Sequence, residues 1–221
     1  MSTIDILKTL AVSLKIGEFR LVRFATWKLL QDFIDPSLSN NLLLEKSMKL
    51  SEEYGLPFWD ATLLLGSWQY PWNREIIDHA DHHNKIMDDF WINPDQLFSL
   101  NEGNTDNLGI NSLVRDSEGR LMHIPLMDFH LPVSEQGHEI VKRIVENLGM
   151  KSGYILNSGN SYHFIGDCLI SENELINFLS RGLLYGPLTD TRWIAHQILE
   201  RSCTLRIGRK NGLMPLLLLH F

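Results

Sequence analysis

Hydrophobic residues recur with helical spacing in the first part of the chain. The pattern predicts helices over residues 2–15, 25–34 and 39–54. The apolar run at 58–68 fits either a strand or a helix, since periodicity does not separate the two in short segments. Residues 93–112 are rich in Asn, Asp and Gly, which predicts a loop and a boundary near residue 105.

From residue 112 onward, short extended runs alternate with amphipathic helices. The predicted order is β-β-α-β-β-α-α-β-β. It indicates an α+β fold, with an antiparallel or mixed sheet that carries helices on one face. We therefore expect a mainly helical N-terminal region over 1–105, packed on a core over 106–221.

Local signals mark the ends of these elements. Ser134 is a candidate N-cap for a helix that stops at Gly149, and Ser171 begins a capping box. A further helix starts at Thr189 or Asp190. The last predicted element is a closing hairpin whose turn contains Asn211-Gly212.

Charge is distributed unevenly along the 221 residues. The net charge is −7, yet the last thirty residues hold one acidic and five basic groups: Arg192, Arg201, Arg206, Arg209 and Lys210. A protein that coats long duplex nucleic acid usually has an extended basic face. Local positive charge is more typical of binding to a phosphate-bearing small molecule, or of a short contact with nucleic acid.

The hydropathy of the chain, its N-terminus and its cysteines indicate the cellular compartment. No segment has the length of a transmembrane span, and the N-terminus is typical of an amphipathic helix rather than a signal peptide. Cys168 and Cys203 lie in predicted strands without metal-ligand spacing, as expected of structural thiols in a reducing compartment. We expect a cytoplasmic protein that does not bind membranes; its oligomeric state stays open.

Polar side chains interrupt an apolar strand at Asp128 and His130. Residues two apart on a strand share a face, so this pair could hold a divalent metal. The alternative is structural, with Asp128 capping the turn before Pro132 and His130 exposed beside it.

A second polar group surrounds a predicted turn. Ser158, Gly159 and Ser161 form a small turn whose backbone N–H groups could face an anion, and His163 follows on the next strand. The alternative is an ordinary hairpin with a partly buried histidine.

The third polar segment runs from Asp190 to Gly212. Asp190 stands at a helix start, where capping is the usual explanation for a carboxylate. Beyond that helix, Arg206, Arg209 and Lys210 could bind phosphate or be solvated.

The order of these segments changes the interpretation. MDFH, SGNSYHFIG, LTD and TLRIGRKNG follow one another between residues 112 and 215. The series resembles the archaeo-eukaryotic primases and primase-polymerases, which carry a D-x-D-type pair, an S-x-H motif, a later Asp, and a basic strand with a K-x-G turn. Ser161-Tyr162-His163 is the most specific match.

The resemblance implies a nucleotide- and metal-binding primase-polymerase-like protein. Its metal site, for Mg²⁺ or Mn²⁺, would comprise Asp128, His130 and Asp190. Its catalytic residues would be Asp128, Asp190 and His163. A nucleoside triphosphate would contact Ser158, Ser161, His163, Arg206 and Lys210. The implied partner is single-stranded or primer–template nucleic acid, and the implied chemistry is metal-assisted nucleotidyl transfer to its 3′ end.

His130 departs from the family pattern, which has an acid at this position. Losing a negative ligand weakens the binding of two hard cations. Three alternatives follow: nucleotide binding without polymerase activity, a different metal held by His130, or a single metal. We rank them in that order.

Two features of the first half are left over. The run DHADHHN at 78–84 pairs Asp78 with His82 and His79 with His83 at helical spacing, which would permit a metal-dependent phosphoesterase. A polar helix face or a loop is the commoner explanation. Aromatic residues also concentrate there, including Trp59, Trp68, Trp72 and Trp91. They could stack on bases, although packing is their commoner use.

Overall fold

The computed structural model describes residues 1–24, 40–56, 58–69, 86–100, 107–209 and 213–221. The chain divides into two compact units, one of Met1–Arg23 with Asp88–Phe221 and the other of Phe24–Met87. This division differs from the predicted boundary near residue 105. The first residues belong to the larger unit because the strand at 16–24 pairs within its sheet.

The helices of the described residues are α1 Thr3–Ser13, α2 Asn40–Tyr54, α3 Phe58–Gln69, α4 Pro94–Ser99, α5 Gly137–Asn147, α6 Glu172–Gly182 and α7 Thr191–Glu200, with a 3-10 turn at Leu183–Tyr185. The strands are β1 Ile16–Phe24, β2 Ile86–Ile92, β3 Leu108–Asp116, β4 Leu121–His123, β5 Leu126–Asp128, β6 Gly153–Asn157, β7 Tyr162–Gly166, β8 Thr204–Arg206 and β9 Leu216–His220.

The larger unit contains two sheets instead of the single sheet expected. One has the order β2-β1-β3-β4, with β8 also paired to β3, and the other has the order β5-β7-β6-β9. The pairings that involve β3 to β9 are antiparallel, which confirms the predicted α+β class. Pro125 separates β4 from β5. Because proline has no N–H for a ladder, the chain leaves the first sheet at this point and enters the second.

The predicted C-terminal hairpin is wrong. β8 pairs with β3 and β9 pairs with β6, so the two strands join different sheets. Residues 210–212, which include the predicted Asn211-Gly212 turn, lie outside the described part of the chain.

Helix starts follow their local signals with one exception. Ser171 and Glu174 form the predicted capping box, and the side chain of Asp190 accepts from the Trp193 amide. Ser134 does not cap α5: Gln136 holds the N-cap position without a side-chain bond. Instead, the Ser134 amide donates to the Tyr162 hydroxyl at 2.8 Å.

The smaller unit resolves one ambiguity and leaves one prediction untested. Residues 58–69 form a helix, α3, which contacts α2 within this unit. The helix predicted at 25–34 falls outside the described residues.

The predicted loop at 93–112 is partly wrong. It contains α4, where Asn93 and Gln96 form a capping box with Pro94 at the first helical position, and it also contains the start of β3. The Asn-Pro pair therefore begins a helix here. The same residue types are also common in turns, so the local sequence does not distinguish the two structures.

A continuous apolar core fills the larger unit. α1 contributes Ile6, Leu7 and Leu10, all fully buried, and the central strands contribute Ile155 and Phe164. Within the described part of the chain, no helix combines the length and hydropathy that a membrane span requires.

Candidate functional site

Asp128 and His163 face each other across two paired strands. They are direct partners in the β5–β7 register, and the His163 Nε2 lies 3.7 Å from the Asp128 Oδ1. The His163 side chain is 8% exposed and that of Asp128 is 24% exposed. The partly exposed Asp128 carboxylate thus stands at the end of a buried strand, next to a buried imidazole.

Asp190 reaches the same place from a different element. Its amide donates to the Asp128 carbonyl at 3.1 Å, beside a bridge between Phe129 and Thr189. One of its carboxylate oxygens, Oδ1, accepts from the Trp193 amide at 2.9 Å. The side chain therefore caps α7, while the backbone of this residue joins the end of β5.

The turn between β6 and β7 adds two hydroxyl groups. The Oγ atoms of Ser158 and Ser161 lie 3.2 Å apart. The expectation that backbone N–H groups face an anion here is wrong for two of them. The Ser158 amide donates to the Ser161 carbonyl, and the Gly159 amide donates to the Asn157 Oδ1 at 2.8 Å. The two serine hydroxyls thus form a hydrogen bond with each other across the turn.

Arg206 lies close to both the turn and Asp128. Its Nη2 donates to the Ser158 carbonyl at 2.7 Å, and its Nη1 donates to the carbonyls of Gly208 and Leu213 at 2.5 and 3.1 Å. Burial lowers the pKa of the Arg206 guanidinium, and the negative charge of Asp128 opposes that shift. The positively charged guanidinium of Arg206 is thus bound mainly by backbone carbonyls of the protein. Lys210 lies outside the described residues.

His130 is exposed, two residues after Asp128, with the buried Phe129 between them. Its amide donates to the Leu188 carbonyl at 2.8 Å, so its backbone is fixed beside the Asp190 segment. No group of three or more His, Cys, Asp or Glu side chains that could hold a metal occurs in the part of the chain that the structure describes.

The first half of the chain also contains the histidine-rich run and the tryptophans singled out from the sequence. The histidine-rich run at 78–84 and Trp72 lie outside the described residues. The Arg115 guanidinium carbon lies over the Trp91 ring, 4.5 Å from the ring centre. Arg115 also forms an ion pair with Glu18, with 2.6 Å between nitrogen and oxygen. This tryptophan is therefore engaged in a charge-balanced surface contact.

A family model described as archaeo-eukaryotic primase 1D-like matches residues 84–215. The chain belongs to this primase-like family. No curated protein and no solved structure matches. The match includes Asp128, Ser158, Ser161, His163, Asp190 and Arg206. It begins before residue 112, the start of the resemblance found in the sequence. It supports a primase-like function related to nucleic acid.

Two residues that hold the surroundings of the candidate site in place were not proposed as site residues from the sequence. The Trp193 indole donates to the Thr204 carbonyl at 3.0 Å, which ties the helix capped by Asp190 to β8. Tyr162, the middle residue of the S-x-H motif, is fully buried and anchors Ser134. A tryptophan three residues after a cap and a tyrosine inside the motif were the available signals.

Proposed function

We propose that this primase-like protein binds a nucleoside triphosphate together with a divalent cation at the strand-end cluster. The strand-end cluster comprises Asp128, Ser158, Ser161, His163, Asp190 and Arg206. The observation that carries the proposal is the meeting of three sequence motifs in one place. Asp128 pairs in register with His163, and the Asp190 amide bonds to the Asp128 carbonyl.

The donor set fits a cation that is shared with a ligand. Asp128 and the second carboxylate oxygen of Asp190 would supply hard oxygen donors, with the His163 imidazole beside Asp128. The described residues contain no group of three or more His, Cys, Asp or Glu side chains that could hold a metal without further ligands. Mg²⁺ is commonly held by one or two carboxylates while substrate phosphates and waters complete its shell. When bound, such a cation neutralises phosphate charge and stabilises a leaving pyrophosphate.

Side chains of the protein would contact the phosphates and orient the carboxylate. The hydroxyls of Ser158 and Ser161 can donate to phosphate oxygens from the turn. The His163 Nε2 lies 3.7 Å from the Asp128 Oδ1, within ion-pair distance but too far for a hydrogen bond, and this contact would help to orient the carboxylate. Its nearly complete burial keeps the ring in one position.

Nucleotidyl transfer to a nucleic-acid 3′ end is a second candidate function. It is favoured by the two aspartates that adjoin at the ends of β5 and the Thr189 segment. The histidine at position 130 weighs against it, because replacing a negative ligand with a neutral one weakens the binding of two hard cations. Nucleotide binding without transfer therefore ranks first.

Calorimetric titration with ATP, with and without Mn²⁺, tests the proposal. We expect Mn²⁺ alone to bind weakly and to bind much more tightly once ATP is present. Asp128→Asn should weaken ATP binding in the presence of Mn²⁺ by roughly tenfold or more, since a charged partner of the cation is lost.

Asp167→Asn is the matched control. Asp167 forms a similar carboxylate–imidazole pair, with the His220 Nε2 3.8 Å from its Oδ2, after the opposite end of β7. This variant should bind ATP as the wild type does. Equal affinity of the wild type and Asp128→Asn would contradict the proposal. Incorporation of labelled nucleotide into a primer–template, lost in Asp128→Asn, would establish transfer as well.

A further inference from the structure

Arg206 connects two separate parts of the chain through backbone carbonyls. Its guanidinium bonds to Ser158 in the β6–β7 turn and to Gly208 and Leu213, which flank residues 209–212. The contact with Ser158 spans 48 positions in the sequence. The Leu213 side chain also reaches the turn, because a Cβ built on Gly159 would lie 3.3 Å from the Leu213 Cδ1.

The geometry of these contacts requires a guanidinium. Two donor nitrogens bond to three carbonyl oxygens that come from different segments. An arginine presents five N–H donors in a rigid planar fork, whereas a lysine presents three donors from a single nitrogen. Lysine would keep the positive charge near Asp128 but could not reproduce the set of bonds.

We propose that Arg206 is a positioning residue of the nucleotide site, which acts through the Ser158 carbonyl to hold the Ser158–Ser161 turn. This inference rests on the proposed function and revises the phosphate contact that the sequence suggested for Arg206. With its three observed bonds all made to backbone carbonyls, Arg206 would contribute to phosphate binding by fixing the two serine hydroxyls in place. The binding site is then organised before the nucleotide arrives.

The experiment compares Arg206→Lys with the wild type in two measurements. The first is amide hydrogen exchange of residues 157–162 in the ligand-free protein, which we expect to accelerate in the variant as the turn loosens. The second is calorimetric titration with ATP and Mn²⁺, where we expect affinity to fall by roughly tenfold, because the loosened turn and its two serine side chains must then be ordered on binding.

A double-mutant cycle separates positioning from direct phosphate contact. If Arg206 acts through the turn, the loss caused by Arg206→Lys should be clearly smaller in a Ser161→Ala background, because one of the two hydroxyls that Arg206 positions is absent. Arg181→Lys is the matched control. Arg181 also donates to two backbone carbonyls, those of Asn147 and Leu148, but at the end of α5. It should change neither ATP affinity nor exchange in the turn.

The outcomes distinguish this inference from the proposed function. ATP affinity within about twofold of wild type in Arg206→Lys, or additive effects with Ser161→Ala, would overturn the positioning inference and leave the nucleotide site standing. A wild-type protein that binds no ATP would overturn the proposed function and, with it, the inference. Faster turn exchange with a non-additive loss of affinity supports both.

Discussion

Replacing Tyr162 with phenylalanine isolates the structural part of the S-x-H motif. The tyrosine ring is fully buried, and its hydroxyl donates to the Ser134 carbonyl at 3.1 Å while accepting from the Ser134 amide at 2.8 Å. These two bonds fix the segment that enters α5, whose N-cap residue, Gln136, offers no side-chain bond. Tyr162→Phe removes both bonds and leaves the packing of the ring intact.

The expected cost follows from the surroundings of Ser134. Each bond contributes about 0.5–1.5 kcal/mol net, and an unsatisfied buried partner would add more. Ser134 itself is exposed, so water can replace the lost hydroxyl at both backbone groups. We therefore expect a loss of about 1–2 kcal/mol in the free energy of unfolding. For a unit of this size, that corresponds to a decrease of roughly 2–8 °C in Tm.

Urea unfolding followed by circular dichroism, together with ATP titration, tests the reasoning. The backbone of Tyr162 keeps its bond from the Phe129 amide at 3.1 Å, so His163 should remain opposite Asp128 and ATP affinity should stay within about twofold. Tyr185→Phe, on a partly exposed ring in the same unit, is the control and should leave stability unchanged. Unaltered stability in Tyr162→Phe, or a large loss of ATP affinity, would refute the account.

Two further predictions concern stability. His123 is buried, with its Nδ1 3.0 Å from the Ser112 Oγ, and burial lowers its pKa below 6.5, with Glu172 opposing that shift. The unfolded chain then binds more protons than the folded one below about pH 6.5, so stability should fall as pH decreases through that range. Urea unfolding at several pH values should show a weaker dependence in His123→Gln, and an equal dependence would contradict this. A Cβ at Gly153 would lie 2.3 Å from the Phe164 ring and 2.8 Å from the Ile165 carbonyl, so Gly153→Ala should cost about 1–3 kcal/mol in urea unfolding; a neutral effect would show that the strands shift freely.

Helix boundaries were accessible from the sequence because their signals are local. The Ser171–Glu174 capping box and the Asp190 cap involve residues three apart, and both helices start where those residues predict. Ser134 shows the limit of such signals. Its amide donates a hydrogen bond to the Tyr162 hydroxyl, 28 positions away in the sequence, and no local pattern reveals this contact.

The candidate site was partly accessible for a different reason. The order of the motifs led to Asp128, His163 and Asp190, and the structure brings their backbones together. The contacts of Arg206 could not be read from its neighbours, since a basic residue on a strand next to a turn is equally consistent with phosphate binding and solvation. Its partners became known only from the fold.

The sequence alone determined the α+β class and the caps of α6 and α7, and its motif order indicated the residues of the candidate site, because each depends on neighbours in the chain or on motif order. Only the tertiary structure decided that the strands form two sheets, that β8 and β9 separate, and that Arg206 binds carbonyls from two segments. Strand partners and buried donors are selected by packing between distant segments, and that free energy depends on the whole folded chain.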